Sequence, residues 1–234
     1  MKINNFIEEL EKLGIKLSKK QLEQLEEFYN LLIDYNEKVN LTRITEKEDV
    51  YLKHFYDCLT LIKAIDLNKE LTLCDVGTGA GFPGIVLKIC FPQLKITLVE
   101  TMQKRVRFLY LVKEELDLKD LFICKERAEI FARNNRNKYD IVTSRAMARL
   151  NILNEMCIPL LKVNGYFIPM KGSIEGELEE ASNSIKELSS ELEDVISFTL
   201  PIENSIRNLV IIKKVSDNKD KYPRSFAEIK NNPL

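Results

Sequence analysis

Apolar positions recur every three to four residues at the start of the chain: Phe6, Leu10 and Leu13, then Leu22, Leu25, Phe28, Leu31, Leu32 and Tyr35. That spacing puts them on one face of a helix, so residues 1–68 are predicted to form a helical extension. Two segments carry helix-start chemistry. Ser18 with Gln21, and Thr45 with Glu48, match the capping box, in which a hydroxyl and an acid or amide three residues on satisfy each other's backbone N–H groups. Helices are expected to begin near residues 19 and 46, with the polar stretch 36–43 as a connection.

From Leu71 the pattern changes to short β-rich runs alternating with amphipathic segments, which predicts an α/β fold built on a mainly parallel sheet. Candidate strands are Leu71 to Val76, Lys95 to Glu100, Asp120 to Lys125, Asp140 to Ser144 and Gly165 to Lys171. Two more, Val195 to Ile202 and Asn208 to Val215, flank the short polar turn Glu203 to Arg207 and read as an antiparallel hairpin. Five parallel strands plus a hairpin depart from the six-stranded dinucleotide-binding sheet. They match the seven-stranded, class I (Rossmann-like) sheet of S-adenosylmethionine-dependent methyltransferases. The core is taken as 69–215, with no proline-rich linker before it, so extension and core should pack together. The polar tail 216–234 reads as a loop or arm.

Charge adds little global bias: 35 basic side chains oppose 36 acidic ones, a net of -1. No overall field draws in nucleic acid or an anionic membrane, so any nucleic-acid contact must come from a local patch. Five cysteines, Cys58, Cys74, Cys90, Cys124 and Cys157, stand at wide spacings with no C-x-x-C pair. They read as reduced thiols, and no cluster has zinc-ligand spacing. Acids interrupt the N-terminal segment, and no apolar run approaches a membrane span; the expectation is a cytoplasmic protein with no metal.

The candidate chemistry begins at Asp75-Val76-Gly77-Thr78-Gly79-Ala80-Gly81, which follows a strand and opens a helix, where backbone N–H groups face a ligand. Glycines let that ligand approach closely. Gly77, Gly79 and Gly81 are followed by Phe82-Pro83-Gly84, whereas the pyrophosphate fingerprint requires glycine at 82. Asp75 suits the amino-acid end of S-adenosylmethionine better than an anionic pyrophosphate, though a bare tight turn stays open. Glu100 ends the next strand about 20 residues on, where an acid bonds both ribose hydroxyls. Glu129, in Arg127-Ala128-Glu129, is either an acceptor for the adenine amino group or an exposed helix-start acid. At the end of the fourth strand, residues 143–149 hold neither the Asp/Asn-Pro-Pro-aromatic motif of amino-group methyltransferases nor a cysteine nucleophile. Cys157 lies in an apolar helix and reads as packing.

The segments Asn40-Leu41-Thr42, His54-Phe55-Tyr56-Asp57, Asp75 to Gly84, Lys104-Arg105, Arg127-Ala128-Glu129, Ser144-Arg145-Ala146 and Tyr222-Pro223-Arg224 together resemble the GidB (RsmG) family, bacterial methyltransferases for N7 of a guanine in 16S ribosomal RNA. The resemblance covers nearly the whole chain. It implies cofactor contacts at Gly77, Phe82, Ala128, Glu129 and Arg145, with Glu100 holding the ribose. Two features depart from the family pattern. Cys58 stands where serine is usual, and Ser225 to Lys230 replaces a basic tail with glycine and proline.

Guanine N7 carries a lone pair and no proton, so its methylation needs no general base, and positioning dominates. Arg145, with Arg149 and Lys171, stands at strand ends; an arginine bonded to N7 would block the reaction, so Arg145 is assigned to site architecture or to O6. His54 and Asp57 read as an ordered positioning pair on the RNA side, or His54 as a half-buried structural residue. The RNA patch is drawn from Arg43, Lys53, Lys104, Arg105, Arg107, Arg145, Arg149, Arg207 and Arg224. The expected partner is 16S RNA or the small subunit, bound by a monomer. A small-molecule methyltransferase and a non-catalytic ribosome-assembly factor are the alternatives.

Overall fold

The computed structural model describes residues 1–234. Helix α1 (Ile3–Lys12) stops because Gly14 takes φ +76°, and the N–H groups of Gly14 and Ile15 return to the carbonyls of Glu11 and Leu10. This double closure satisfies the last helical carbonyls and presses Ile15 against Leu10. Helix α2 (Lys19–Asn36) starts at Ser18 with both halves of the expected capping box in place. The Gln21 amide reaches further, donating to the carbonyls of Ile89 and Cys90, each at 3.0 Å. The extension is thereby hydrogen-bonded to the core.

Thr45 does not cap. Helix α3 (Lys47–Val50) begins one residue later than that box requires, with Glu46 at the N-cap and no side-chain bond to it. The chain continues as a π-helical turn, Tyr51–Tyr56, then α4 (Asp57–Leu59) and a 3-10 turn, Thr60–Lys63. Such widened turns are rare and concentrate at functional sites.

The strands are β1 (Thr72–Val76), β2 (Lys95–Glu100), β3 (Leu121–Lys125), β4 (Tyr139–Arg145), β5 (Leu161–Lys171), β6 (Ser190–Thr199) and β7 (Ile206–Lys214). They lie in the order β3-β2-β1-β4-β5-β7-β6, the first five parallel and β7 antiparallel to both neighbours. The expected α/β, class I sheet with its terminal hairpin is what the chain forms. Most bounds fall within three residues of those expected, and two shift further: β5 starts at Leu161 rather than Gly165, and β6 at Ser190 rather than Val195. The early part of β6 is an exposed edge of charged residues, which carries no apolar alternation to read.

Helices α5 (Gly84–Cys90), α6 (Gln103–Glu115), α7 (Ala128–Asn134), α8 (Leu150–Cys157) and α9 (Glu177–Glu187) cover the two faces. One face carries the larger apolar core, in which Phe6, Phe28 and Phe55 of the extension pack with Ile85 and Phe108. The other packs Phe131, Leu153 and Phe167. Along β1, Leu73 serves the first core and Cys74 and Val76 the second, the alternation a pleated strand imposes.

The tail is docked rather than free. The Arg136 guanidinium donates to the carbonyls of Asn218 at 2.6 Å and of Tyr222, and α10 (Phe226–Asn231) opens on a Ser225–Glu228 capping box. No helix is long and apolar enough to cross a membrane.

Candidate active site

β1 is joined to β2 on one side and β4 on the other, so a crevice opens at the carboxyl ends of β1 and β4, where open α/β sheets bind ligands. Two clefts occupy it. The first, about 270 Å³, is lined by Gly77, Val99, Glu100, Thr101, Arg105, Glu126, Ala128, Ala146 and Met147. The second, about 390 Å³, is lined by residues that include Lys53, His54, Asp57, Arg145, Ala146, Lys171, Glu177 and Arg207. Ala146 lines both, with φ +51°. A left-handed conformation in a non-glycine residue is uncommon and clusters at functional sites.

In the glycine loop, Gly77 and Thr78 donate to the Val99 carbonyl at 2.9 and 3.2 Å, tying the turn to β2. Gly77 has φ +72°, and a Cβ there would stand 2.7 Å from the Met147 sulfur. Glu100 accepts from Gly79 N–H with one oxygen and from Thr101 and Met102 N–H with the other, at 3.1, 2.7 and 2.9 Å. Its carboxylate is thus held rigidly at the cleft. Asp75 is different. It is fully buried, one oxygen accepting from the Thr78 hydroxyl at 2.6 Å and Gly84 N–H at 2.8 Å, the other without a partner. Burial pushes its carboxyl up to about 6, against the pull of those two bonds. Asp75 braces the loop from beneath and does not line the first cleft.

Phe82 also lies elsewhere than expected. Its ring stacks on His54 with centroids 4.4 Å apart and meets Phe28 at 5.4 Å, while the Arg145 guanidinium sits 5.2 Å over its face. It joins the extension to the second cleft. Glu129 turns to Arg127 Nε at 3.1 Å and lines neither of these two clefts; Glu126 and Ala128 line the first. Gly79 and Gly81 shape the turn, Gly81 at φ +99° with Ile85 packed where a Cβ would go.

Arg145 organises the second cleft. It donates to the Lys53 carbonyl at 3.0 Å, to Asp57 at 3.1 Å and to His54 Nδ1 at 3.0 Å. His54 Nδ1 also lies 3.1 Å from the Lys53 carbonyl, and Nε2 lies 3.1 Å from the Thr42 hydroxyl, so both ring nitrogens are engaged whichever of them carries the proton. Burial first, then the neighbouring Arg145 charge, depress His54 to about 3. His54 and Asp57 do not bond each other, as a simple pair would; Arg145 joins them. Asp57 also accepts from Arg207 at 3.0 Å, so one buried carboxylate ties α4, β4 and β7 together.

The expected RNA patch divides. Arg43, Lys104 and Arg107 are exposed. Lys53 pairs with Asp49 and Glu203, and Arg149 forks onto Glu180 at 2.7 and 2.8 Å. Arg105 belongs to the first cleft, 3.4 Å from Glu100, and Arg207 to the second. Arg224 leaves the patch: it forms a two-pronged pair with the fully buried Glu155, at 2.7 and 2.8 Å, because the docked tail folds back over α8. The cysteines are free, all buried except half-buried Cys124, and burial pushes the Cys157 thiol up.

Several cleft residues escaped the sequence reading. Thr101 follows Glu100 at the end of β2 and Glu126 follows Lys125 at the end of β3, so both were reachable by the same rule. Met147 and Glu177 had no local signal. No group of three or more histidine, cysteine or acidic side chains is arranged to hold a metal.

The strand order and the placing of the clefts define a class I methyltransferase fold. Solved structures share it: TrmN from Thermus thermophilus (TM-score 0.56, 13% identity, 69% of this chain and 49% of that one) and a SAM-dependent methyltransferase from Aquifex aeolicus (0.52, 17%, 72% and 94%). At such identities the likeness concerns the fold alone. Sequence goes further. The family model GidB, rRNA small subunit methyltransferase G, matches residues 21–210. Ribosomal RNA small subunit methyltransferase G of Bacillus subtilis (strain 168) is 47% identical over 237 residues, spanning 100% of this chain and 99% of that protein. Its counterpart in Bacillus velezensis is 48% identical with the same coverage. The chain belongs to the GidB family of small-subunit rRNA methyltransferases.

Proposed function

We propose that this protein transfers a methyl group from S-adenosylmethionine to N7 of a guanine in the 16S RNA of the small ribosomal subunit. The observation that carries this reading is the meeting of two clefts at Ala146, one suited to a nucleoside and the other ringed by cations.

The first cleft fits the cofactor's chemistry. Glu100 is fixed to receive the ribose hydroxyls, Val99 and Ala128 wall the base, and Glu126 offers an acceptor at the polar edge. Bound there, S-adenosylmethionine supplies a methyl group on a positively charged sulfur. Glycines at 77 and 79 let the backbone approach it closely.

The second cleft supports an acceptor that needs no proton removed. His54 is the only histidine, and both ring nitrogens are engaged and its basicity is suppressed. Asp57 is held by Arg145 and Arg207, and Glu177 by Lys171. Anchored this way, the cleft positions its occupant rather than taking a proton, and in-line alignment of a lone pair supplies the acceleration. Lys53, Arg145 and Arg207 suit the O6 side of guanine or a backbone phosphate.

Two measurements test the reading. Glu100→Gln should weaken S-adenosylmethionine binding in calorimetry by about tenfold, the loss of one charge-assisted bond. Single-turnover methyl transfer to small subunits should stay flat between about pH 6.5 and 8.5, since no base titrates. A rate climbing tenfold per pH unit across that range would reject the base-free step.

A further inference from the structure

The second cleft is rich in donors, and of its two carboxylates, Asp57 and Glu177, one oxygen is left open. Both Asp57 oxygens are occupied, by Arg145 and by Arg207. His54 Nδ1 is occupied by Arg145. Glu177 lines the same cleft from the start of α9, and its Oε2 takes both the Leu150 N–H and the Lys171 ammonium, each at 2.9 Å. Its Oε1 has no hydrogen-bond partner and is not fully buried. The side chain is only 13% exposed, fixed from below by two bonds, and so is presented in one orientation.

We propose that Glu177 Oε1 reads the acceptor base, taking the N1–H and exocyclic amino protons of guanine. This rests on the guanine reading of the cleft. With N7 turned toward Ala146, guanine's O6 falls among the cations, and its remaining polar edge carries two donors. Those donors need an acceptor, and an ionised carboxylate is the complementary group. Adenine presents a lone pair at N1 instead, which a carboxylate repels. A single group thereby selects guanine and rejects adenine, and leaving a buried polar group unpaired is the usual source of strong discrimination. Glu177 is thus a specificity-determining residue, while its bonds to Lys171 and Leu150 hold α8 and the segment 146–149 in place.

The test is a cycle between protein and base. Small subunits are reconstituted with guanosine or inosine at the methylated position, inosine lacking only the exocyclic amino group. For the wild type, kcat/KM should fall about 10-fold or more on inosine, the value of a hydrogen bond to a charged group. Glu177→Gln keeps an acceptor for Leu150 N–H but loses the charge, and should act on guanosine and inosine within about twofold of each other. Glu177→Asp, one methylene short, should behave the same way, and S-adenosylmethionine affinity should be unchanged in both. Lys171→Met, which disturbs the support without removing the acceptor, should keep the guanosine preference. Independent, multiplicative losses from Glu177→Gln and from inosine would overturn the proposal and leave Glu177 a purely structural support. If the wild type fails to methylate N7 of the guanosine subunits at all, the functional reading fails instead, a different result.

Discussion

Asp57 is one carboxylate shared by two arginines, and its removal is the sharpest perturbation of the site. The residue is 4% exposed and receives Arg145 Nη1 at 3.1 Å and Arg207 Nε at 3.0 Å. Asp57→Asn keeps one acceptor oxygen but turns an amide N–H₂ toward the second guanidinium, so two neighbouring cations lose their common counter-charge. Two charge-assisted bonds at about 1.5–3 kcal/mol each, and an uncompensated charge at a largely buried site, put the cost at about 3–5 kcal/mol. Arg207→Gln should cost about 1 kcal/mol, since that side chain is partly solvated and Arg145 still neutralises Asp57. The double variant should be more stable than the sum of the two singles implies, because Arg207→Gln removes the repulsion that Asp57→Asn creates. The assay is urea unfolding of all four proteins. A slope of about 2–3 kcal/mol per molar makes Asp57→Asn a midpoint shift of about 1–2 M. Strict additivity, or an Asp57→Asn loss below about 1 kcal/mol, would refute the bridging role.

Three further outcomes are expected. His54 is neutral in the fold at about 3 while the unfolded residue titrates at 6.5, so below pH 6.5 the unfolded chain holds the extra proton and stability drops as pH falls. Relative to His54→Gln, the wild type should lose about 1.4 kcal/mol per pH unit between about pH 6.5 and 3, measured by urea titration; parallel curves would contradict the buried neutral imidazole. Arg224→Gln strands the fully buried Glu155 carboxylate and should cost about 3 kcal/mol in urea unfolding while leaving RNA affinity intact; weakened RNA binding by a stably folded variant would return Arg224 to the RNA patch. Gly77→Ala forces a side chain into φ +72° against Met147 and should weaken cofactor binding, whereas Lys104→Glu, on an exposed position, should lower RNA methylation at saturating cofactor; equal effects of both on cofactor affinity would erase that division.

The features legible in the sequence were those encoded locally. Strand periodicity, the Ser18–Gln21 cap and the glycine spacing after β1 depend on neighbours a few residues apart, and the strand-end rule reached Glu100 because every parallel strand delivers its last side chain to the same edge. What was not legible depends on residues brought together from afar. Arg145 was expected at the cofactor and in the site's architecture, but its partners Asp57 and His54 were not legible, since the π-helical turn and the start of α4 bring them across the crevice. Phe82 sits in the motif yet points into the extension, because Phe28 and His54 supply a stacking surface there. Arg224 looked like an exposed tail cation; only the fold reveals Glu155 beneath it. Thr45 matched a capping pattern, but the helix starts past it, and pattern alone cannot locate a start to one residue.

The central claim is the identity of the methylated atom, and a chain-scission experiment reaches it directly. Small subunits from cells lacking the enzyme are incubated with the protein and labelled S-adenosylmethionine, and the 16S RNA is then cleaved chemically at 7-methylguanosine and sequenced. The expected result is one new cleavage at a single guanine, dependent on both protein and cofactor and lost in Glu100→Gln at limiting cofactor. Label carried into the RNA with no cleavage, marking transfer to another atom, or no label in RNA at all, would contradict it.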